Sequence, residues 1–303
     1  MVTIANDMKQ HIIRELLAEG GNHRLAVFQA INETFIRHAL EFLERATQHK
    51  AQWEDSSQSQ TAGEGWYLDF LRASYSDMDE AEMIGAMPKK TIGNIYGGKS
   101  VAVVQGALQE NVLHLIEAYD EARALHAEPS PAVLSVNGVE FSSAETVLLI
   151  NSLAVKRQQI SGGFWSAVGM GTERPLLQSL CALYELDEQY HRGGIEKDNR
   201  YQVDYMLHRS GVEYRCEVKL NGKGNPESVT SAIARDPRIL FADFISEQNR
   251  EKLDSSGIAW IDFSDQRGFR RFRDALLRFK IPHTDPPNLD RLDDILDEIL
   301  PLP

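Results

Sequence analysis

The sequence predicts a mixed α/β fold preceded by a helical N-terminal region. Apolar residues recur at intervals of three and four up to about residue 126, which is the spacing of amphipathic helices. Runs rich in β-branched and aromatic residues follow between residues 201 and 263, and helical patterns separate the later runs. Because the first two runs form an antiparallel hairpin pattern, we expect a mixed sheet.

The N-terminal region is predicted to be helical apart from one loop. A polar run at residues 52–64 predicts that loop, and a further long helix is expected from about Lys99 to His126. Two prolines within residues 127–131 end this helix and suggest a domain boundary. We therefore predict a helical domain over residues 1–130, serving DNA recognition or dimerisation, and a second domain over residues 131–303.

The second domain is predicted to combine helices with a hairpin and two later strands. In chain order its elements are a helix near residues 143–158, a glycine-rich loop at 161–171, a helix at 172–186, hairpin strands at 201–208 and 212–220 joined by a turn at 209–211, strands at 239–245 and 258–263, and an acidic helix at 285–298. A short helix is expected before each of the two later strands.

The composition is typical of a cytoplasmic globular protein. Apolar residues make up 42% and charged residues 25% of the 303 positions. No apolar run approaches the roughly 20 residues needed to cross a bilayer, and the first residues do not resemble a signal peptide. Two cysteines, Cys181 and Cys216, are too few for a disulfide framework or a zinc knuckle, so we expect reduced thiols.

The net charge of −13 is unusual for a nucleic-acid-binding protein, which commonly presents a basic surface to phosphates. The charge is unevenly distributed, however. Residues 200–280 contain 15 Lys and Arg against 12 Asp and Glu, so that stretch carries +3 and the rest of the chain −16. The overall charge argues weakly against nucleic acid, and the local charge weakly for it.

Three charged residues are predicted to converge on one face of the hairpin. Side chains alternate along a strand, so Glu217 and Lys219 share one face of the second strand. Asp204 faces the same way in the first strand, and the turn brings it beside Glu217. Carboxylates hold Mg²⁺, and a neighbouring lysine orients or deprotonates water and neutralises developing charge, as phosphodiester hydrolysis requires. We therefore predict Asp204 and Glu217 as metal ligands and Lys219 as the residue that acts on water and phosphate.

The alternative is a solvated hairpin face on which Glu217 and Lys219 form a surface pattern. A Glu-x-Lys triplet occurs by chance in most proteins of this length, so the triplet alone indicates little. The phase of Asp204, the hairpin context and the alternation of helices and strands after it favour a catalytic site.

This arrangement resembles the PD-(D/E)xK nuclease superfamily. Asp204 matches the motif aspartate, residues 217–219 match the second half of the motif, and Val203 replaces the usual proline. Members often carry a further glutamate on the helix before the aspartate strand, and the resemblance makes Glu173 the candidate. Glu173 falls in the first turn of the predicted helix at 172–186, where the helix dipole also favours an acidic residue.

A narrower resemblance is to type II restriction endonucleases of the CfrBI group. Residues 163–177, 217–227 and 233–236 carry it, and together they cover roughly the C-terminal half. The resemblance implies a homodimer that cuts both strands of a short palindromic DNA site with Mg²⁺, leaving 5′-phosphate and 3′-hydroxyl ends. A restriction enzyme also implies a cognate DNA methyltransferase that protects the host sites.

Residues 93–100 match the P-loop pattern G-x-x-x-x-G-K-[ST], and residues 239–243 could supply a partner strand that ends in Asp243. No apolar strand precedes the match, so a turn between helices fits this segment better than an NTPase site. Further residues are candidates for contacts with DNA, although packing explains most of them almost as well. They are Lys89, Lys90, Lys99, Ser100, Trp165 and Lys223.

Two other classes of function remain open from the sequence. One is a DNA-repair or RNA-processing nuclease with the same site, which recognises structure instead of sequence. The other is a non-enzymatic DNA-binding protein.

Overall fold

The computed structural model describes residues 3–18, 21–56, 65–97, 100–125, 134–193, 196–197, 201–202, 205–220 and 226–302. Contacts divide the chain into two compact units, one made of Met1–Gln29 with Gly163–Pro303 and the other of Ala30–Gly162. This division differs from the boundary near residue 130 that the prolines suggest, and residues 126–133 lie outside the described part of the chain. The functional roles predicted for the two domains stay predictions.

The first 125 residues are helical in every described segment apart from short turns and caps, as predicted. The helices are α1 (Asn6–Leu17), α2 (His23–Asp55), α3 (Gly65–Ala73), α4 (Met78–Ile84), α5 (Lys89–Tyr96) and α6 (Val101–Leu125). The loop predicted at residues 52–64 begins later than expected, because α2 continues to Asp55 and residues 57–64 lie outside the described part.

The unit Ala30–Gly162 has a core of aromatic and aliphatic side chains, among them Phe42, Trp66, Leu71 and Leu108. It also contains a hairpin that the sequence reading missed, formed by β1 (Leu134–Val136) and β2 (Val139–Phe141). Asn137 and Gly138 make its turn with φ of 52° and 81°. Both residue types tolerate this left-handed backbone, which two-residue hairpin turns require.

The prediction of a glycine-rich loop at residues 161–171 is wrong. These residues lie within α7, one continuous helix of 41 residues from Ser143 to Leu183, which includes Pro175. A glycine inside a helix costs only about 1 kcal/mol relative to alanine, less than burying one large apolar side chain gains. The helix buries Val168, Leu176 and Leu180 on one stripe, and this non-local packing outweighs the local glycine preference.

Five strands form the main sheet in the order β3 (His191–Gly193), β6 (Tyr205–Arg209), β7 (Val212–Lys219), β8 (Ile239–Ala242), β9 (Ala259–Asp262). The pairs β3–β6 and β6–β7 are antiparallel, whereas β7–β8 and β8–β9 are parallel. The predicted mixed α/β class is therefore confirmed. The predicted hairpin turn is present, with Ser210 and Gly211 at φ of 52° and 80°. The short strands β4 (Glu196–Lys197) and β5 (Tyr201–Gln202) pair separately.

Helices α8 (Pro226–Ile233) and α9 (Glu247–Ser255) precede β8 and β9, as predicted. They pack on the sheet face that carries Leu240 and Ala242. Parallel register pairs Glu217 with Leu240 and Lys219 with Ala242, so the two charged residues share this face. The chain ends with α10 (Arg271–Arg278) and α11 (Leu292–Ile299), the latter within the predicted acidic segment. Among the described residues, no helix combines the length and apolar composition that spanning a membrane requires.

Candidate active site

Glu217 lies on β7 with its side chain completely buried. Its Oε1 accepts hydrogen bonds from Arg215, one of them from Nε at 2.9 Å, and its Oε2 accepts one from Arg235 Nη1 at 3.3 Å. A buried carboxylate is stable only when it is paired in this way. Glu217 therefore does not belong to a solvated hairpin face, which was the alternative to a functional role.

Lys219 reaches both acidic residues of the candidate site. Its Nζ lies 3.9 Å from Glu217 Oε2 and 4.0 Å from Glu173 Oε1, and it donates a hydrogen bond of 2.7 Å to the carbonyl oxygen of Val218. The side chains of Lys219 and Glu173 are 17% and 18% exposed, so water and small ligands can reach this cluster. A cation held between two carboxylates in a low-dielectric setting is well placed to act on a bound anion.

Glu173 is not at a helix N-terminus, contrary to the prediction. It follows Ser143, the first residue of α7, by 30 positions, so the helix dipole does not explain an acidic residue there. Gly169 lies one turn earlier, and a Cβ atom at that position would come within 3.4 Å of Glu173 Oε1. The glycine thus leaves room for the carboxylate that faces Lys219.

Asp204 lies outside the described residues, so its place beside Glu217 stays a prediction. The described hairpin register pairs Tyr205 with Cys216, next to the two residues in question. Among the residues that the structure describes, no group of three or more His, Cys, Asp or Glu forms a metal site. Two carboxylates on one cluster are nevertheless compatible with Mg²⁺, which commonly takes one or two protein carboxylates together with water and phosphate oxygens.

The predicted DNA contacts are only partly described. Lys99 and Lys223 lie outside the described residues, and Lys89 is described by its backbone alone. Lys90 and Ser100 are exposed. Trp165 is half-buried on α7, where the guanidinium of Arg24 lies 5.5 Å from its ring centroid. The role of these residues in binding DNA stays a prediction.

The P-loop match is structurally different from a nucleotide site. Gly93 lies within α5, which begins after Pro88, and Gly97 caps the helix with φ of 63°. A true P-loop follows a strand and precedes a helix, so the NTPase interpretation is wrong. Asp243, the end of the supposed partner strand, is buried and accepts a hydrogen bond from Arg24.

A second buried charge cluster adjoins Lys219, and the sequence reading missed it. The backbone NH of Asp243 donates a 3.0 Å hydrogen bond to the carbonyl oxygen of Lys219. His23 Nε2 lies 3.7 Å from the Asp243 carboxylate, and burial and the charge of Arg24 lower the pKa of His23 to about 4. The hydrogen bond from Arg24 to Asp243 thus attaches the start of α2 to the carboxyl end of β8, next to the end of β7.

The roles of the two arginines that hold Glu217 were not predicted. Arg215 shares a strand face with Glu217, and this alternation was visible in the sequence. Arg235 follows α8, 18 positions after Glu217 along the chain. Its proximity depends on how α8 packs against the sheet, which no local pattern shows.

A model described as the CfrBI restriction endonuclease family matches residues 6–250, most of the chain, including Glu173, Glu217 and Lys219. The chain belongs to the CfrBI restriction endonuclease family. This membership makes it an endonuclease of a restriction system with DNA as its substrate. Comparisons with curated proteins and with solved structures gave no significant match to this CfrBI-family chain.

Proposed function

We propose that this CfrBI-family endonuclease is a type II restriction enzyme that hydrolyses phosphodiester bonds at a specific short site in duplex DNA, with Mg²⁺ as cofactor. The observation that carries the proposal is the cluster of Glu173, Lys219 and Glu217, in which the lysine lies within 4.0 Å of both carboxylates. The hairpin, the parallel strands after it and α7 before it also support a PD-(D/E)xK core.

Glu217 and Asp204, whose place beside Glu217 is a prediction, would hold the metal, and Glu173 would complete the acidic side of the site. Mg²⁺ supplies Lewis-acid activation of the phosphoryl group and lowers the pKa of bound water. Arg215 is a positioning residue, because its two hydrogen bonds fix the carboxylate of Glu217. Orienting the attacking water and offsetting the charge that develops on the phosphate fall to Lys219.

The remaining parts of the proposal rest on the family and the composition. We propose that the enzyme acts as a homodimer in the cytoplasm, because a two-fold dimer matches the symmetry of a palindromic site. We also expect a cognate methyltransferase, since the host's own sites need protection.

The test is cleavage of plasmid DNA by the wild-type protein, K219A and K252A, each with and without Mg²⁺. Lys252 is an exposed lysine on α9 and serves as the matched control. We expect discrete fragments from the wild-type protein and K252A, and none from K219A. Smeared products or a preference for branched DNA would favour a repair nuclease. No cleavage with any divalent metal would exclude catalysis and leave DNA binding alone.

A further inference from the structure

Two arginines contact Glu217, and they differ in how firmly they are held. Arg215 donates twice to Oε1 and is 22% exposed. Arg235 donates once to Oε2, at 3.3 Å, and is 39% exposed. One carboxylate oxygen therefore has a close, sheltered partner, and the other has a longer and more accessible one.

The backbone explains this difference. Arg215 belongs to β7, which is hydrogen-bonded to a strand on each side, and its own carbonyl oxygen accepts from Arg238 at 2.8 Å. Arg235 lies in the turn after α8, just before Asp236, whose φ is 51°. The sheet fixes the backbone of Arg215, and its side chain must give up two hydrogen bonds to leave Glu217. Arg235 gives up one longer bond from a more exposed side chain.

The oxygen bound by Arg235 is also the one that faces the site, since Lys219 Nζ lies 3.9 Å from Oε2. A metal ion held by Glu217 on this side and the guanidinium of Arg235 would compete for the same oxygen. We propose that Arg235 is a displaceable counter-ion, which occupies Glu217 Oε2 in the metal-free protein and leaves it when the metal binds. This inference rests on the proposed role of Glu217 as a metal ligand.

Such an exchange solves a physical problem of the buried carboxylate. With neither the metal nor Arg235 present, Glu217 Oε2 would be buried with only Lys219 near it, at 3.9 Å, which is unfavourable for a buried charge. The released guanidinium gains a suitable partner in a DNA phosphate, because Arg binds phosphate through paired hydrogen bonds. Metal and DNA would then favour each other's binding through Arg235, and thermodynamic linkage makes that effect reciprocal.

The experiment measures binding of Mn²⁺ alone, without DNA, from the loss of the free-ion EPR signal. The variants are R235Q, R215Q and R192Q, compared with the wild-type protein. Arg192, which lies on β3, is the matched control. It pairs with Glu213, which lies on β7 four positions before Glu217. We expect R235Q to bind Mn²⁺ about threefold to tenfold more tightly, the effect of removing one partly exposed charge. We expect R192Q to match the wild-type protein and R215Q to bind no more tightly, because it loses the fixed orientation of Glu217.

An unchanged or weaker affinity in R235Q would overturn the inference. E217Q separates this result from a failure of the proposed function. If E217Q and the wild-type protein bind Mn²⁺ alike, Glu217 is not a ligand, and the metal assignment fails together with the inference. If E217Q loses binding while R235Q is unchanged, only the inference fails. Thermal unfolding of each variant checks the fold, and R235A provides a second neutral replacement should R235Q not fold.

Discussion

Each compact unit contains an acidic side chain with a lysine beside it, and the two clusters differ in the charged groups that surround the acid. In the helical unit Lys50 donates to Glu145 Oε2 and to the Glu140 carbonyl oxygen, both at 2.7 Å. Trp66 and the backbone NH of Ser142 also donate to Glu145. Lys50 lies 3.6 Å from Glu54 Oε1 as well, so two acids share this one cation. In the described part of the chain, this cluster contains no cation besides Lys50 that a ligand could use.

The cluster on β7 has the opposite balance. Among the described residues, Glu217 has contacts with three cations, Arg215, Arg235 and Lys219, and Glu173 is a second acid in contact with the lysine. Several of these cations are partly exposed, whereas Lys50 is only 8% exposed. A buried ion pair is therefore not a functional site by itself. Accessible cations around a fixed carboxylate are what a phosphate diester can use.

The largest expected difference between the clusters is in catalysis. E217Q should lower the rate of DNA cleavage more than about a hundredfold, since even residues that only support metal ligands contribute 10- to 100-fold. E145Q, the same change in the helical unit, should keep the wild-type rate per folded molecule. Single-turnover cleavage with circular dichroism as a fold check measures both. Equal losses in the two variants would contradict a functional difference between the Glu217 and Glu145 clusters.

The second effect concerns stability and belongs to the cluster around Lys50. K50M should lower the free energy of unfolding by about 2 kcal/mol, less than the roughly 3–5 kcal/mol for a fully buried pair because Glu145 keeps its other donors. The side chain of Glu145 is also 21% exposed, which reduces the penalty further. Urea unfolding measures the change, with K252M on the exposed face of α9 as the control. A loss in K50M no larger than in K252M would show that the pair is not structurally important.

A third, smaller effect is a dependence of stability on pH. Burial raises the pKa of Glu145, but hydrogen bonds from Lys50, Ser142 and Trp66 and the charge of Lys50 outweigh it and hold the pKa below 4.5. A lowered pKa in the folded state stabilises the protein above the unfolded-state pKa, and that contribution is lost as the pH falls through the folded-state pKa. The difference in unfolding free energy between wild type and E145Q should therefore be constant near neutral pH and shrink below about pH 4.5. A difference that does not change with pH would contradict this assignment.

The parts of the fold set by local spacing were predictable. The two-residue period of β7 places Glu217 and Lys219 on one face, and the structure has them there, with 3.9 Å between Nζ and Oε2. Asn137 and Gly138 carry a hairpin signal that was present in the sequence and overlooked. The catalytic roles of these residues, and the position of Asp204, stay predictions.

The features that depend on distant packing were not predictable. Glycines suggested a break at residues 161–171, but burial of Val168 and Leu176 against other elements keeps α7 continuous. Arg235 meets Glu217 only because α8 packs on the sheet beside β7, and Asp243 meets Arg24 across 219 positions of the chain. Local patterns contain no information on such pairs.

The smallest predicted effect tests the continuity of α7 with two of its glycines. A Cβ atom at Gly162 would meet no other atom within 4 Å, so G162A should stabilise the protein by about 0.5–1 kcal/mol, the difference in helix propensity. At Gly171 a Cβ atom would lie 3.3 Å from Lys9 Cε and 3.5 Å from Ile4 Cγ1, so G171A should gain less than G162A because the Lys9 side chain must shift by a few tenths of an ångström. Urea unfolding of both variants gives the comparison. A loop at residues 161–171 would not reward alanine at position 162, so the absence of any gain in G162A would contradict a continuous helix.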